Sequence, residues 1–290
     1  MKRGWLITNE WLEWDKFELQ FDHLLAAAEG VLDLSRVSTD WVVSHLDGDL
    51  PDVALVMDKD VAAVAQLEAL GVRTVNTAKA IALCDNKAYT HAALSRAGIA
   101  HPATITAPLA YRALSAQEWE NSDFVAAVES QLGYPAVAKH AVGSWGSGVF
   151  VVHNRSDLVR VVMEAYPAPV IVEKFIAESA GRDMRLYMVE HEAVAGMRRF
   201  GSDGDFRANI TGGGKAEPWD PPAEHVDVAR RAMDALGLDI AAVDFLEPAS
   251  GQPLVGEVNS NAQFVTLAKA TGVDVASHVI DYLVRVAEEK

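Results

Sequence analysis

The sequence predicts an α/β N-terminal lobe followed by a larger α+β part, and three observations support this. Over residues 1 to about 80, apolar strands alternate with amphipathic helices; we place strands at 5–8, 52–57 and 72–75, and helices at 17–28 and 61–70. Such alternation is typical of a small parallel sheet. Beyond residue 134, strands follow one another across short turns, which indicates antiparallel hairpins: 134–152, 184–200 and 240–259. With 290 residues, half of them hydrophobic, the chain can form two or three compact units.

The composition excludes several classes of protein. The net charge of −16 argues against nucleic-acid binding and disfavours an acidic protein partner, so we expect small-molecule substrates. No apolar run reaches the roughly 20 residues of a membrane helix, and the N-terminus does not resemble a signal peptide. A single cysteine, Cys84, fits a cytoplasmic protein. The sequence leaves homo-oligomer formation open.

A glycine-rich turn is the first motif that predicts chemistry. Lys139 lies on a strand that leads into Gly143, Ser144, Trp145 and Gly146. Glycines let backbone N–H groups approach phosphate oxygens, and the lysine adds positive charge beside them. The alternative is a tight β-hairpin with a solvated lysine. Lys87, at the start of a predicted helix over 87–97, is by itself a surface lysine.

Two carboxylates and an amide form the second motif. Glu257 and Asn259 point to one face of a strand, and a turn centred near residue 250 would place Asp244 opposite Glu257. Facing carboxylates repel each other unless a cation or a proton lies between them. Oxygen ligands on a partly open site suit Mg²⁺. The alternative is a surface hairpin with unrelated acids.

Arginines concentrate in one region of this acidic chain, which is the third motif. Arg185, Arg198, Arg199 and Arg207 fall there with Asn209 and Lys215. Guanidinium groups bind carboxylate and phosphate with two parallel hydrogen bonds, so the region is a candidate anion site. The alternative is a row of solvated arginines on exposed strands.

Taken in order, these motifs resemble the RimK-type ATP-grasp ligases, which include the LysX-like amino-acid ligases. The resemblance covers about residues 76 to 280. The matching stretches are NTAKAIALCDNK (76–87), LGYPAVAKHAVGSWGSGV (132–149), VIVEKFI (170–176), GRDMR (181–185), MRRFGSDGDFRAN (197–209), VDFL (243–246) and GEVNSNAQF (256–264).

The resemblance implies an ATP-grasp fold, in which two subdomains clasp ATP, and a role for each matching residue. Lys87 and Lys139 would bind nucleotide phosphates, and the turn with Gly143, Ser144, Trp145 and Gly146 would close over them. The backbone of Glu173, Lys174, Phe175 and Ile176 would contact adenine, with Asp183 beside the ribose. The catalytic set, which would contact the γ-phosphate and the acyl phosphate, is Arg185, Arg199, Arg207 and Asn209. The metal ligands would be Asp244, Glu257 and Asn259, for two Mg²⁺ ions, with Mn²⁺ as a substitute.

The implied activity is ATP-dependent joining of a carboxylate to an amine through an acyl phosphate, with an amino acid or small peptide as substrate. The alternatives are an inactive nucleotide-binding module and an ATP-grasp enzyme with a non-amine acceptor. We predict an N-terminal domain over 1–84, a central subdomain over 85–168 and a C-terminal subdomain over 169–290. Relatives usually carry Gln-Glu where this chain has Glu173-Lys174, and the SNAQF stretch (260–264) also departs from them. The acid, the amine and the role of residues 1–75 in specificity cannot be read from the sequence.

Overall fold

The N-terminal lobe is a parallel four-stranded sheet with helices packed on it. The structure is a computed structural model, and it describes residues 1–12, 15–143, 148–202, 206, 208 and 214–289. The strands have the spatial order β2-β1-β3-β4 and are β1 (Arg3–Thr8), β2 (Asp33–Ser38), β3 (Val53–Val56) and β4 (Arg73–Val75). The helices of this part are α1 (Asp15–Ala28), α2 (Thr39–Val43), α3 (Val61–Ala69), α4 (Ala78–Asp85) and α5 (Lys87–Arg96).

The parallel lobe predicted from the alternating pattern is confirmed, with one strand added. Strand β2 was not predicted, because its sequence DLSRVS carries polar residues and is mostly exposed at the edge of the sheet. The interior strand β3 is buried along its whole length, which is why its apolar run was recognisable.

The central sheet is antiparallel and has the order β5-β8-β6-β7. Its strands are β5 (Thr104–Thr106), β6 (Ala136–His140), β7 (Val149–Val152) and β8 (Val170–Lys174). Three helices cover it, α6 (Ala116–Glu120), α7 (Asp123–Ala127) and α8 (Arg155–Ala165), and a helical turn follows α7 at Val128–Leu132. The predicted hairpin of β6 and β7 is confirmed, with Lys139 paired to Val149.

The second antiparallel sheet has five strands in the order β11-β10-β9-β12-β13. They are β9 (Arg182–Val189), β10 (Glu192–Phe200), β11 (Lys215–Pro218), β12 (Ile240–Leu246) and β13 (Leu254–Asn259). The remaining helices are α9 (Ala223–Leu236), α10 (Val265–Thr271) and α11 (Val275–Glu288), and a short helical turn lies at Ala177–Ser179. Helix α9 ends at Gly237, whose φ of 70° is a left-handed conformation that glycine adopts without a Cβ penalty.

One hydrophobic core joins the N-terminal lobe to this five-stranded sheet. Phe21 and Leu24 of α1 belong to the same buried cluster as Tyr187 of β9, Phe264 and Leu283 of α11. Burying side chains of this size stabilises the fold by about 25 cal/mol for each Å² of apolar surface removed from water. The lobe and the sheet therefore share a single interior.

The buried Asn76 side chain adds hydrogen bonds between the N-terminal lobe and the five-stranded sheet. Its Nδ2 donates to the carbonyl oxygens of Ile240 (2.8 Å) and Ser260 (3.0 Å), and its Oδ1 accepts from the backbone N–H groups of Asp239 (2.7 Å) and Ile240 (3.0 Å). All the hydrogen-bonding capacity of the amide is thus used.

The division into segments 1–84, 85–168 and 169–290 stays a prediction. Strand β8 pairs with β5 and β6, so the sheet of the middle segment takes one strand from beyond residue 168.

Candidate active site

A cavity of about 660 Å³ is lined by both antiparallel sheets and the N-terminal lobe. All the residues that the resemblance assigned to a role and that the structure describes line this cavity: Lys87, Lys139, Gly143, Glu173, Lys174, Phe175, Ile176, Asp183, Arg185, Arg199, Asp244, Glu257 and Asn259. Ser144, Trp145, Gly146, Arg207 and Asn209 lie outside the described residues. Arg198 and Lys215 do not line the cavity. Arg198 alternates with Arg199 along β10, points to the other face and is 3.7 Å from Glu247.

The three predicted metal ligands converge on two neighbouring strands. Asp244 of β12 is the register partner of Glu257 of β13, as the position of the turn predicted. Asn259 lies two residues further on, and its Nδ2 is 3.3 Å from Asp244 Oδ2. Across the described part of the chain, no three His, Cys, Asp or Glu side chains form a metal cluster. A metal here would therefore draw on two carboxylates and an amide oxygen, an oxygen-only set that fits Mg²⁺.

Two arginines hold the Asp244 carboxylate on the cavity wall. Arg185 donates from Nε and Nη2 to the two oxygens of Asp244, each at 2.7 Å. Arg199 binds both oxygens of Asp183 at 2.6 Å and also donates from Nη2 to Asp244 Oδ2 at 2.8 Å. The predicted anion-binding arginines thus face internal carboxylates, and a phosphoryl group would have to share them.

Burial and ion pairing act in opposite directions on these carboxyl groups. Burial raises the pKa of Asp183 to about 6, because the Arg199 guanidinium does not fully offset the lost solvent and the nearby charge of Asp244. Burial acts on Asp244 in the same sense, but Arg185 and Arg199 outweigh it and hold the pKa of Asp244 below its ordinary value. Asp244 is the group that stays ionised.

Lys87 connects the start of α5 to the glycine-rich turn. The preceding Asn86 caps the helix, since its side chain accepts from the Ala88 N–H at 3.0 Å. The Lys87 backbone N–H donates to the Ala141 carbonyl at 2.7 Å, and its Nζ donates to the Gly143 carbonyl at 2.8 Å. The same Nζ lies 3.5 Å from Glu257 Oε1. One ammonium group therefore contacts both the turn and Glu257 of β13.

Lys139 also lines the cavity, and its ammonium group is paired with a buried acid. Its Nζ lies 2.7 Å from Glu173 Oε2, while His91 Nε2 lies 3.0 Å from Glu173 Oε1. Burial alone would raise the pKa of Glu173, but Lys139 and His91 outweigh it and lower the pKa to about 2. Glu173 in turn outweighs the burial of Lys139 and raises the pKa of the ammonium group. The pair is ionised at neutral pH.

The predicted adenine segment, 173–176, begins at the end of β8 and continues beyond it along the cavity. Glu173 is the last buried residue of the strand, Lys174 is exposed, and Phe175 and Ile176 follow where the chain leaves the ladder. Phe175 and Ile176 line the cavity and lie beyond Lys174, the last residue of the strand that pairs in the sheet.

Sequence reasoning missed the residues that the N-terminal lobe contributes to the cavity. Asn9 follows β1 and Asp58 follows β3, and Asn9 Nδ2 donates to Asp58 Oδ2 at 3.2 Å. Lys16 of α1 also lines the cavity, where burial and then the positive charge of Arg185 lower its pKa. A signal existed, because ligands of parallel sheets bind beyond the carboxyl ends of the strands, where Asn9 and Asp58 lie.

Comparison with known proteins identifies the family. A family model described as a RimK-like ATP-grasp domain matches residues 84–283. The chain belongs to the RimK-like ATP-grasp family. Relatives include a probable alpha-L-glutamate ligase from Picosynechococcus sp., 36% identical over 77% of this chain and 70% of that protein. A ribosomal protein bS6–L-glutamate ligase from Salmonella newport is 33% identical over 83% of this chain and 77% of that protein.

Solved structures support the fold. D-alanine–D-alanine ligase from Bacillus anthracis complexed with ATP superposes with a TM-score of 0.75 at 18% identity, covering 100% of this chain and 98% of that one. A RimK domain ATP-grasp protein from Sphaerobacter thermophilus gives a TM-score of 0.70 at 21% identity, over 97% of this chain and 99% of that one.

Family membership establishes the general activity. The chain is an ATP-dependent ligase that joins a carboxylate to an amine, and its ATP-grasp fold binds ATP and uses a divalent metal. The predicted ATP-grasp fold and RimK-type membership are confirmed. Among the described residues, no helix is long and apolar enough to cross a membrane.

Proposed function

We propose that this ligase activates a small carboxylate as an acyl phosphate and that an amino acid supplies the amine. One observation carries the proposal: two lysines from different elements lie in the same cavity as the Asp244–Glu257–Asn259 cluster. Positive groups for phosphates and oxygen ligands for a divalent ion are the two requirements of phosphoryl transfer from ATP.

The lysines are proposed to bind the nucleotide phosphates. Their side chains are only 12% (Lys87) and 16% (Lys139) exposed, so a phosphate that meets them is largely removed from water. Charge interactions strengthen as the effective dielectric constant falls. The segment Glu173–Ile176 would contact adenine through its backbone, Asp183 would lie beside the ribose, and the turn with Gly143, Ser144, Trp145 and Gly146 would close over the phosphates. Both Asp183 oxygens are bound by Arg199, so a ribose contact would compete with that pair.

Asp244, Glu257 and Asn259 are proposed to hold two divalent metal ions. We propose that these are Mg²⁺ and that Mn²⁺ can substitute for it. When bound, the metal neutralises phosphate charge and orients the transferring group. Arg185 keeps Asp244 ionised and fixes the orientation of its carboxylate. Arg199, two strands away on β10, also donates to Asp244, and with Arg207 and Asn209 it would stabilise the charge on the transferring phosphoryl group.

The proposed reaction has two steps. A substrate carboxylate oxygen attacks the γ-phosphorus, the bond to the β-γ bridging oxygen breaks, and ADP leaves. The amine nitrogen then attacks the acyl carbon, loses a proton, and phosphate leaves with the former carboxylate oxygen. Between the steps, the enclosed cavity must exclude water, because hydrolysis would waste the intermediate.

The substrates are proposed to be small, with glutamate as the first amine to test. Two relatives are named glutamate ligases. A cavity of about 660 Å³ falls within the range of about 300–1,000 Å³ that is usual for small-molecule sites. We propose that the protein works in the cytoplasm, because its one cysteine is buried and forms no disulfide.

Isotope transfer tests this proposal. ADP release is screened over a matrix of amino acids with ATP and Mg²⁺, and the products are identified by mass spectrometry. The active carboxylate is then supplied labelled with ¹⁸O. An acyl phosphate requires one ¹⁸O atom in the released phosphate for each amide formed. Unlabelled phosphate beside a labelled amide would refute it.

A further inference from the structure

A chain of polar side chains runs from Lys139 away from the cavity. Glu173 accepts from Lys139 Nζ at 2.7 Å on one oxygen and contacts His91 Nε2 at 3.0 Å on the other. His91 Nδ1 lies 2.9 Å from His101 Nδ1, and His101 Nε2 lies 2.7 Å from Ser95 Oγ. The side chains of Glu173 and His91 are 3% and 8% exposed, so their polar atoms depend on these partners. We call these four groups behind Lys139 (Glu173, His91, His101 and Ser95) the histidine relay.

The contacts determine where each proton lies. The Pro102 carbonyl, 2.9 Å from His101 Nδ1, can only accept, so that nitrogen carries a proton. His91 Nδ1 lies 2.9 Å from this nitrogen, too close for both to carry a proton, so His91 Nδ1 is unprotonated and accepts. A neutral His91 then carries its proton on Nε2 and donates it to Glu173. Burial lowers the pKa of His101, which keeps it neutral with Nε2 accepting from the Ser95 hydroxyl. All donors of the histidine relay point toward the Glu173 carboxylate.

We propose that His91 and His101 are positioning residues for ATP binding, which act through Glu173 to fix the phosphate-binding ammonium group of Lys139. The inference rests on the proposed role of Lys139. Neither histidine touches the nucleotide side of the cavity; His91 determines the orientation of the carboxylate, and the carboxylate determines where Lys139 Nζ lies.

The requirement follows from the chemistry of a buried glutamate. Glu173 is a buried acid whose two oxygens both need donors. Lysine is a flexible four-carbon chain with a point charge, so its ammonium group lies where its partner holds it. His91 follows Lys87 by four residues on α5 and shares its helix face. One helix thus presents one phosphate lysine directly and positions the other through Glu173.

Binding of a non-hydrolysable ATP analogue with Mg²⁺ tests the proposal by calorimetry. We expect His91→Leu to weaken binding about tenfold, the scale of one hydrogen bond to a charged group. His91→Gln can place an amide N–H where Nε2 lies, and should recover binding to within about threefold on the same scale. The matched control is His225→Leu, which removes a partly buried histidine outside the cavity and should bind as wild type.

A double-mutant cycle separates positioning from general loss of structure. In a Lys139→Met background there is no ammonium group to position, so adding His91→Leu should change binding less than about twofold. The same tenfold loss in both backgrounds would overturn the proposal. In steady-state assays, His91→Leu should raise KM for ATP and leave KM for the amine substrate unchanged; equal increases in both would also overturn it.

Histidine tautomers in the wild-type protein give a test that needs no variant. By ¹⁵N nuclear magnetic resonance we expect the proton on Nε2 of His91 and on Nδ1 of His101; the opposite pattern overturns the proposal even if His91→Leu does not fold. Wild-type protein that binds the analogue but releases no ADP with any substrate would refute the proposed reaction alone. Tenfold weaker binding by His91→Leu would then still support the histidine relay.

Discussion

The two carboxylates proposed to bind the same metal, Glu257 and Asp244, have different ion-pair partners. Substituting them should therefore affect turnover and folding stability to different extents. Glu257 is 39% exposed, and its ion pair is with Lys87 at 3.5 Å. An ion pair of this exposure and length contributes about 0–1 kcal/mol. We therefore expect Glu257→Gln to fold with nearly wild-type stability and to lose most of its turnover.

The size of the catalytic loss follows from one unit of charge. Two unit charges about 4 Å apart interact by about 4 kcal/mol at an effective dielectric constant of about 20. Each 1.36 kcal/mol of barrier is about tenfold in rate, so even about two-thirds of that energy predicts a loss of about 100-fold in turnover. The assay is coupled ADP release at saturating Mg²⁺, with Glu247→Gln as the matched control. Glu247 is 36% exposed and paired with Arg182 and Arg198, and it does not line the cavity.

Asp244→Asn is expected to behave differently. The Asp244 side chain is 6% exposed and receives three guanidinium hydrogen bonds. Removing its charge leaves two buried arginines short of a partner, at a cost of about 3–5 kcal/mol. The melting temperature should fall by roughly 5–15 °C. Near-wild-type turnover by Glu257→Gln, or equal destabilisation by both variants, would refute the reasoning.

Lys139→Ala should raise KM for ATP at least tenfold, measured by initial rates; unchanged ATP kinetics would make Lys139 a structural residue. The depressed pKa of Glu173 contributes stability above pH 4.5 that is lost as pH falls toward 2, so the advantage of wild type over Glu173→Gln should shrink by about 2 kcal/mol between pH 7 and pH 3 in urea titrations. Burial raises the pKa of Cys84 to about 12, so thiol reagents should label it only after unfolding; rapid native labelling would contradict its burial. Asn76→Ala should destabilise the protein by about 3 kcal/mol, since it leaves four backbone groups unpaired, and an unchanged melting temperature would show that water replaces them.

Local patterns predicted the carboxylate hairpin, because strand alternation and turn position are properties of neighbouring residues, whereas the adenine segment and Asp183 came from the family resemblance alone. Asp244 and Glu257 are 13 residues apart, and one turn determines their register. The contact between His91 and Glu173 joins residues 82 positions apart, so no periodic pattern within a single helix or strand predicts it. The contacts of Arg185 and Arg199 with internal acids depend in the same way on three strands meeting in one sheet. The N-terminal contribution was missed because Asn9 and Asp58 are ordinary polar residues until the parallel sheet brings their strand ends together.

The way β13 is held has a consequence for how substrates enter. Behind β13, the Cys84 thiol donates to the Val258 carbonyl at 3.1 Å and Asn76 donates to the Ser260 carbonyl, while α1 and the five-stranded sheet share one core. The β5-β8-β6-β7 sheet has a hydrophobic core of its own, so we expect this sheet, rather than β13 or the N-terminal lobe, to move when ATP enters. For protein engineering, this means that the N-terminal lobe is not an interchangeable module. A chimera that imports a foreign lobe needs the matching faces of α11 and of the five-stranded sheet as well, whereas crossover points around the central sheet leave that shared interior intact.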